Sequence, residues 1–195
     1  MKKGKLIIGI DEAGRGPLAG PIAIGAIAIG PLNAKVKNQN VKFLKGIKDS
    51  KKLSAQQREF WYKIIKKNFE CHCVFVSHKT IDKLNVYKAT LLGVEKVLKK
   101  FKKKLGLILL DGSLYAPKEY KQKTIIKGDE KIPLISAASI IAKVCRDRRM
   151  IRLHKKFPHY GFDRHKGYGT KLHYKKIKKY GPCKIHRKSY NISIW

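Results

Sequence analysis

The chain has 195 residues, of which 46 are Lys or Arg and 13 are Asp or Glu, so its formal net charge at pH 7 is +33. This surplus attracts polyanions through counterion release and long-range steering, and it favours nucleic acid as the partner. Because 43% of the residues are hydrophobic, a disordered basic tail is excluded, and the length suits one domain that buries roughly 70% of the unfolded chain's surface.

The apolar runs near the N-terminus are too short for a targeting or membrane segment. Residues 6–10 are followed at once by two acids, and residues 21–32 fall below the roughly 20 residues that a membrane-spanning helix needs. The four cysteines have no C-x-x-C spacing, so reduced thiols are favoured over a zinc site. We therefore expect a soluble, cytoplasmic protein with no membrane partner.

Hydrophobic periodicity predicts five strands and four helices. The strands are predicted at residues 6–10, 22–29, 73–76, 107–110 and 124–126, and residues 33–48 form a polar, basic connection. The first helix starts at Ser54, where Gln57 completes a capping box, and it is expected to carry Phe60, Ile64 and Ile65 on one apolar face. Further helices are predicted at residues 88–102, 136–154 and 170–180.

The helix at residues 136–154 is expected to bury Ile140, Ile141, Val144 and Ile151. Strands that come first and then alternate with helices predict an α/β fold, with a mixed sheet covered by helices. No linker separates two large domains, so residues 1–195 are interpreted as one domain. Its catalytic core is placed at about residues 1–155, and residues 156–195 form a basic C-terminal helical extension.

Acidic residues are scarce in this chain, and some of them follow predicted buried strands. Asp11 and Glu12 follow the first strand side by side, Asp111 follows the fourth, and Asp129 follows the fifth. Ligands bind at such strand ends in open α/β sheets, and carboxylates are the ligands that Mg²⁺ and Mn²⁺ prefer. The pattern indicates metal-assisted phosphodiester chemistry by two ions about 3.5–4 Å apart. The alternative for Asp129 and Asp147 is that they are helix-cap and surface acids.

Residues 9–21, with the sequence GIDEAGRGPLAGP, closely resemble the N-terminal motif of ribonuclease HII, the type 2 ribonuclease H. The resemblance continues in the family's order over nearly the whole chain. Its other motifs are Asp49-Ser50-Lys51-Lys52-Leu53, Ile81-Asp82 with Asn85 and Ala89-Thr90, Asp111-Gly112, Lys127-Gly128-Asp129, the stretch 136–144 with Arg146-Asp147, and His165-Lys166-Gly167-Tyr168.

This resemblance implies a ribonuclease H-like mixed sheet of about five strands flanked by helices. It implies that Asp11, Glu12, Asp111 and Asp129 are the catalytic carboxylates and hold two Mg²⁺ or Mn²⁺ ions. The implied enzyme hydrolyses the RNA strand of RNA/DNA hybrids. It also nicks duplex DNA on the 5′ side of an embedded ribonucleotide, leaving 3′-hydroxyl and 5′-phosphate ends, as in ribonucleotide excision repair. Asp147 is placed as a supporting residue paired with Arg146 or a lysine.

The resemblance also assigns substrate-binding residues. Gly14, Arg15 and Gly16 match the element that contacts the ribonucleotide, and Tyr168 matches the tyrosine that packs on the following deoxyribose. The glycines would let backbone groups test the 2′-hydroxyl, and Arg15 can hold a phosphate. The expected phosphate contacts are Lys51, Lys52, Lys143, Arg146, Lys166, Arg187 and Lys188. His165 is expected to order either a phosphate or the Tyr168 loop, and the alternative is a structural role.

Two alternatives stand beside this interpretation. Ribonuclease HIII has an added N-terminal domain and usually a lysine in the G-R-G element, whereas here ten residues precede Asp11 and residue 15 is Arg. A non-catalytic basic binder, such as a ribosome-associated protein, would explain the charge but not the acids at strand ends. We expect a monomer acting on RNA/DNA hybrid and ribonucleotide-containing duplex DNA. The C-terminal residues show no clear sliding-clamp motif.

Overall fold

The computed structural model describes residues 5–30, 44, 46–47, 53–102 and 105–190. These form a five-stranded mixed sheet with the order β3-β2-β1-β4-β5, flanked by helices on both faces. The strands are β1 (Leu6–Ala13), β2 (Ile22–Ile29), β3 (Glu70–Val76), β4 (Leu105–Asp111) and β5 (Gln122–Ile125). The predicted α/β class and all five predicted strands are confirmed, and the expected connection at residues 33–48 lies almost entirely outside the described residues.

The described helices include the four that were predicted and several shorter ones. They are α1 (Ala55–Asn68), α2 (His78–Leu84), α3 (Val86–Leu98), α4 (Gly128–Lys131), α5 (Pro133–Lys156), α6 (Phe162–His165) and α7 (Lys171–Tyr180), with a 3₁₀ turn at Pro158–Tyr160. The capping box at Ser54 and Gln57 is confirmed. The short helices α2, α4 and α6 were not predicted, because four to seven residues give too little periodicity to recognise.

Strand β1 is longer than the sequence pattern predicted, and this changes where the first acids lie. It pairs in antiparallel fashion with β2 as far as Ala13, but its parallel pairing with β4 stops at Ile10 and Leu110. Asp11 and Glu12 therefore lie within the strand, just where its second neighbour ends. The end of β4 brings Asp111 alongside them.

Helix α5 lies directly on the sheet because glycines in β1 and β2 leave room for it. A β-carbon at Gly25 would sit 2.3 Å from the carbonyl oxygen of Ala138, and one at Gly9 would sit 2.5 Å from that of Leu134. Side chains alternate along β1, so Gly9 and Asp11 share the face that α5 covers. The close approach brings the α5 side chains to the acidic end of β1.

The core has two main layers, one on each face of the sheet. One layer packs β1, β2 and β4 against α3, and the other packs Ile27 against Ile65 of α1 and Ala138 and Ile141 of α5. The apolar face predicted for α1 is buried only in part, because Ile65 is buried whereas Phe60 is 61% exposed. Helix α1 packs through Trp61, Tyr62 and Ile65.

The end of α5 runs beyond the sheet and packs against the C-terminal region. Ile151 was expected to be buried and is 43% exposed, whereas Met150 is fully buried. Met150 contacts a separate cluster with Tyr160, Phe162 and Ile185. A different side of α5 is therefore buried at its C-terminal end, because there the helix packs against this cluster and no longer against the sheet. Over the part of the chain that is described, no helix combines the length and apolar character needed to cross a membrane.

Candidate active site

Three aspartates from different elements meet at the carboxyl end of β1 and β4. Asp11, Asp111 and Asp129 each offer a carboxylate oxygen, and these oxygens lie within 4.8 Å of one another. Asp11 and Asp129 are buried, whereas Asp111 is half-buried. Such a set consists only of hard oxygen donors, which is the chemistry that Mg²⁺ and Mn²⁺ require.

Neighbouring groups hold the aspartates in place. The Asp11 carboxylate accepts hydrogen bonds from the Ser139 side chain on α5 and from the backbone N–H of Glu12, the latter at 2.7 Å. The Oδ1 atom of Asp111 accepts the backbone N–H groups of Gly128 at 2.6 Å and Asp129 at 3.2 Å. Asp111 therefore fixes the turn that presents Asp129, while the Ser136 hydroxyl donates to the carbonyl of Asp129 at 2.5 Å.

The site concentrates negative charge away from water. Burial raises the pKa of Asp11 well above its usual range, and the charges on Glu12 and Asp111 raise it further. Burial also raises the pKa of Glu12, although the hydrogen bond with Asp11 and the charge of Arg15 oppose that rise. Buried like charges destabilise the ionised forms unless a cation neutralises them.

Glu12 lies beside the aspartate triad but does not belong to it. Its carboxylate remains within hydrogen-bonding reach of that of Asp11. The Glu12 carboxylate lies 3.5 Å from Nη1 of Arg15, and the same nitrogen is 3.3 Å from the Ser113 hydroxyl. Glu12 still lines a cleft of about 570 Å³, together with Asp11 and Asp111.

The turn at residues 14–16 forms one wall of this cleft and is held from behind by Arg187. The Arg187 guanidinium donates to the carbonyls of Gly14 and Arg15 at 2.6 Å each and to that of Gly20 at 3.1 Å. Gly14 has a φ of +97°, and a β-carbon there would lie 1.8 Å from Nε of Arg146. The turn therefore requires glycine at position 14.

Arg187 was expected to contact phosphate, and that expectation is wrong. Its side chain is fully buried, and its donors are engaged by three carbonyls and the Tyr190 hydroxyl. The sequence pattern gave no means of distinguishing a surface arginine from one that supports a turn 173 positions earlier in the chain.

Tyr168 also lines the cleft and is 41% exposed. Nζ of Lys143 lies 5.8 Å from the centroid of its ring, and the Arg146 guanidinium lies 5.6 Å from it. Lys143 also pairs with Asp147 at 3.0 Å. The expected partnership of Asp147 with a neighbouring lysine is thus observed, and Asp147 lies outside the triad.

Arg146 occupies a different place from the one expected of a phosphate contact. It is fully buried, and it donates to the carbonyls of Pro21 and Lys166 at 3.0 Å and of Ala19 at 3.4 Å. Its guanidinium therefore joins the segment after the 14–16 turn to the segment before Tyr168. Lys166 is half-buried, and its Nζ donates to the carbonyl of Asp163.

Lys51 and Lys52 lie outside the described residues. Sequence reasoning missed two polar cleft residues, Ser139 and Arg58. Ser139 lies within a motif that was noted only for its resemblance, and one helical turn separates it from Lys143. Arg58 is an ordinary basic residue on the amphipathic helix α1, and no feature of the sequence distinguishes it from the other surface cations.

Comparison with known proteins agrees with this geometry. The family model described as Ribonuclease HII matches residues 8–193. The chain is 40% identical to the Ribonuclease HII of Caldicellulosiruptor bescii over 95% of this chain and 86% of that protein. Among solved structures, it is similar to the ribonuclease H2 of Pyrococcus horikoshii, with a TM-score of 0.74 and 29% identity over 95% of this chain and 94% of that one.

The chain is also similar to the ribonuclease HII solved in complex with PCNA from Archaeoglobus fulgidus. The TM-score is 0.78 and the identity 26%, over 96% of each chain. The fold, the family model and the curated relative agree over nearly the whole length. The chain therefore belongs to the ribonuclease HII family, whose members are hydrolases that cleave the RNA strand of RNA/DNA hybrids.

Proposed function

We propose that this protein also nicks duplex DNA on the 5′ side of an embedded ribonucleotide, leaving 3′-hydroxyl and 5′-phosphate ends, by two-metal-ion hydrolysis. The observation that carries the proposal is the aspartate triad, of which Asp11 and Asp111 line a cleft that the 14–16 turn and Tyr168 also line. The +33 charge of the chain supplies the attraction that brings a polyanionic duplex to this cleft.

The residues at the site fit divalent metal ions. Three aspartate oxygens within 4.8 Å form an oxygen-only donor set, and the raised pKa of Asp11 identifies a carboxylate that a cation would stabilise in its ionised form. Asp11, Asp111 and Asp129 would hold the ions, and Glu12, which lines the same cleft, would be the fourth ligand. When bound, two such ions activate a water and stabilise the leaving oxygen of a phosphodiester.

The protein's own groups orient these ligands. Ser139 and the backbone N–H of Glu12 fix the Asp11 carboxylate, and the N–H groups of residues 128 and 129 fix that of Asp111. Preorganised ligands need no rearrangement during the reaction, which is how a rigid site lowers an activation barrier. Lys143, on the same cleft, provides a positive charge for the phosphate backbone.

The 14–16 turn is suited to detecting a ribose. Gly16 has no neighbour within 4 Å of where a β-carbon would be, so its backbone is open to a ligand. Backbone N–H and C=O groups can hydrogen-bond a 2′-hydroxyl, which distinguishes RNA from DNA. Arg15 is partly exposed beside this backbone and can contact an adjacent phosphate.

Tyr168 would pack against the sugar that follows the ribonucleotide. Its ring is exposed toward the cleft, and Lys143 and Arg146 lie over it. Lys166 and Lys51 remain proposed phosphate contacts. Arg146 is proposed instead as a positioning residue, because its donors are already bonded to backbone carbonyls.

The test is cleavage of a labelled duplex that contains one ribonucleotide, in Mg²⁺ or Mn²⁺. The wild type should cut on the 5′ side and leave a 3′-hydroxyl that a polymerase can extend. Asp11→Asn should abolish the cut while keeping affinity for the duplex. Asp163→Asn is the matched control, since Asp163 pairs with His154 away from the triad, and it should cut at the wild-type rate.

Two results would reject the proposal. One is wild-type activity in Asp11→Asn, which would remove the aspartate from the reaction. The other is a product with a 2′,3′-cyclic phosphate, which would mean that the ribose hydroxyl rather than water attacks the phosphorus.

A further inference from the structure

Every carbonyl in the segment that leads into Tyr168 is bonded to a different part of the chain. The Lys166 carbonyl accepts from Arg146 on α5, and the Gly167 carbonyl accepts from the backbone N–H of Leu18 at 2.8 Å. The Tyr168 carbonyl lies 3.0 Å from Nδ1 of His173 on α7 and also accepts the N–H of Thr170. The conformation of this segment therefore depends on three separate anchors, one of which is a histidine.

His173 belongs to a buried group of three histidines. It is fully buried, its ring stacks on His165 with centroids 4.3 Å apart, and Phe162 meets its plane edge-on at 5.5 Å. Its Nε2 atom lies 3.1 Å from Nε2 of His186, which is also buried. Two ring nitrogens at this distance require one to donate and the other to accept.

The surrounding groups decide which nitrogen donates. A carbonyl only accepts, so the bond to Tyr168 requires a proton on Nδ1 of His173, and Nε2 of the neutral ring must then accept. Nε2 of His186 must therefore donate. That leaves Nδ1 of His186 to accept the backbone N–H of Cys183, which lies 2.8 Å away.

The other assignment fails. The carbonyl of Cys183 lies 3.2 Å from Nδ1 of His186 and could accept from it. That arrangement would make Nε2 of His186 an acceptor and would leave the lone pair on Nδ1 of His173 facing the Tyr168 carbonyl. Only one set of neutral tautomers satisfies the bond to Tyr168, the bond between the two rings and the bond from the Cys183 N–H, and it forms a continuous chain from Cys183 through both rings to Tyr168.

We infer that His173 and His186 are positioning residues, which hold the backbone of Tyr168 through this hydrogen-bond chain and so set how well the protein distinguishes an RNA–DNA junction from a uniform hybrid. The inference rests on the proposed role of Tyr168 at the junction. It also connects the segment after α7 to the cleft, because His186 forms an isolated antiparallel bridge with Ala19, close to the 14–16 turn. The C-terminal segment thus supports both the 14–16 turn, through Arg187, and the backbone of Tyr168, through His186.

Two substitutions at position 173 separate the two bonds of the ring. An asparagine amide can take the place of Nδ1 and keep the donor to Tyr168, whereas a glutamine amide extends to the place of Nε2 and loses that donor. His159→Gln is the matched control, because His159 is exposed, stacks on Tyr180 and takes no part in this chain of hydrogen bonds.

The first measurement is amide hydrogen exchange of residues 167–170. His173→Gln should speed exchange about tenfold, the effect of losing one hydrogen bond, while His173→Asn and the control should stay near wild type. Nitrogen NMR of the wild type adds a test without substitution, since His173 should carry its proton on Nδ1 and His186 on Nε2. Unchanged exchange in the glutamine variant, or the opposite tautomers, would overturn the inference.

The second measurement is the ratio of kcat/KM on a single-ribonucleotide duplex to that on a uniform hybrid. His173→Gln should lower this ratio about tenfold and should lower it no further in a Tyr168→Ala background. Equal loss on both substrates would mean that the histidine only supports the core, and would overturn the inference. A wild type that does not cut the single-ribonucleotide duplex would instead overturn the proposed function, and the exchange data would still decide the positioning role.

Discussion

Asp11→Asn should stabilise the metal-free protein, although the same change should abolish cleavage. The substitution keeps the shape of the side chain and removes a charge that lies within 4.8 Å of two other aspartates. Burial and these neighbours hold the pKa of Asp11 well above its ordinary value of 3.8. The native state without metal therefore opposes ionisation of this group.

The size of the effect follows from two limits. Two charges at the upper limit of 4.8 Å repel by about 3.5 kcal/mol at an effective dielectric constant of about 20. The cost of keeping Asp11 ionised in the folded state at pH 7 cannot exceed the cost of protonating it instead. Protonation requires about 4 kcal/mol for a group with an ordinary pKa of 3.8. Asparagine still accepts from Ser139, but more weakly, so we expect a net gain of about 1–3 kcal/mol, or roughly 3–10 °C in Tm.

Thermal unfolding in a chelating buffer measures this gain, with Asp163→Asn as the control that should show none. Because the folded-state pKa of Asp11 is raised, the protonated group contributes fully to the free energy of unfolding below the unfolded-state pKa. This contribution is lost as the pH rises through the folded-state pKa. The difference between variant and wild type should therefore widen from pH 5 to pH 8. Added Mg²⁺ or Mn²⁺ should raise the Tm of the wild type more than that of the variant. A variant that unfolds below the wild type in chelator at pH 8 would refute the reasoning.

Three further outcomes are expected from the groups around the cleft. Gly14→Ala should lower the free energy of unfolding by about 2–4 kcal/mol in urea titration, because it strains a backbone with a φ of +97° and displaces Arg146. Gly16→Ala should change the free energy of unfolding by no more than about 0.5 kcal/mol, and equal effects at the two positions would contradict the close approach of Arg146 to Gly14. Arg146→Lys should cost about 2–4 kcal/mol in the same assay, since one ammonium nitrogen cannot reach three carbonyls that bond to three different nitrogens of the guanidinium. A neutral result would contradict the positioning role proposed for Arg146. Burial lowers the pKa of His173 to about 4. The neutral ring therefore contributes fully to the free energy of unfolding above about pH 6.5, and this contribution is lost as the pH falls toward 4. His173→Asn should consequently show a shallower loss of Tm between pH 6.5 and 4.5 than the wild type.

The local elements of the fold were predictable because each depends on a short pattern. The β-branched run of β2, the capping box at Ser54 and the heptad-like spacing in α3 are all contained within a few residues. The lengths of β1 and α5 were less predictable, because β1 continues only as far as its partner β2 does. Similarly, α5 changes its buried side where the sheet ends, which is why Met150 rather than Ile151 is covered.

The sequence by itself determined the family, the α/β class and the identity of the acids, because motifs and scarce charges are visible residue by residue. Only the tertiary structure decided which of those acids converge, since the oxygens of Asp11, Asp111 and Asp129 come together through the pairing of β1 with β4 and the turn held by Asp111. The tertiary structure also distinguished the roles of the arginines. Arg146 and Arg187 donate to carbonyls more than 120 positions away in the sequence, whereas Arg15 lines the cleft. Whether a cation meets phosphate or supports the backbone depends on burial and long-range hydrogen bonding, which a linear pattern of charges does not contain.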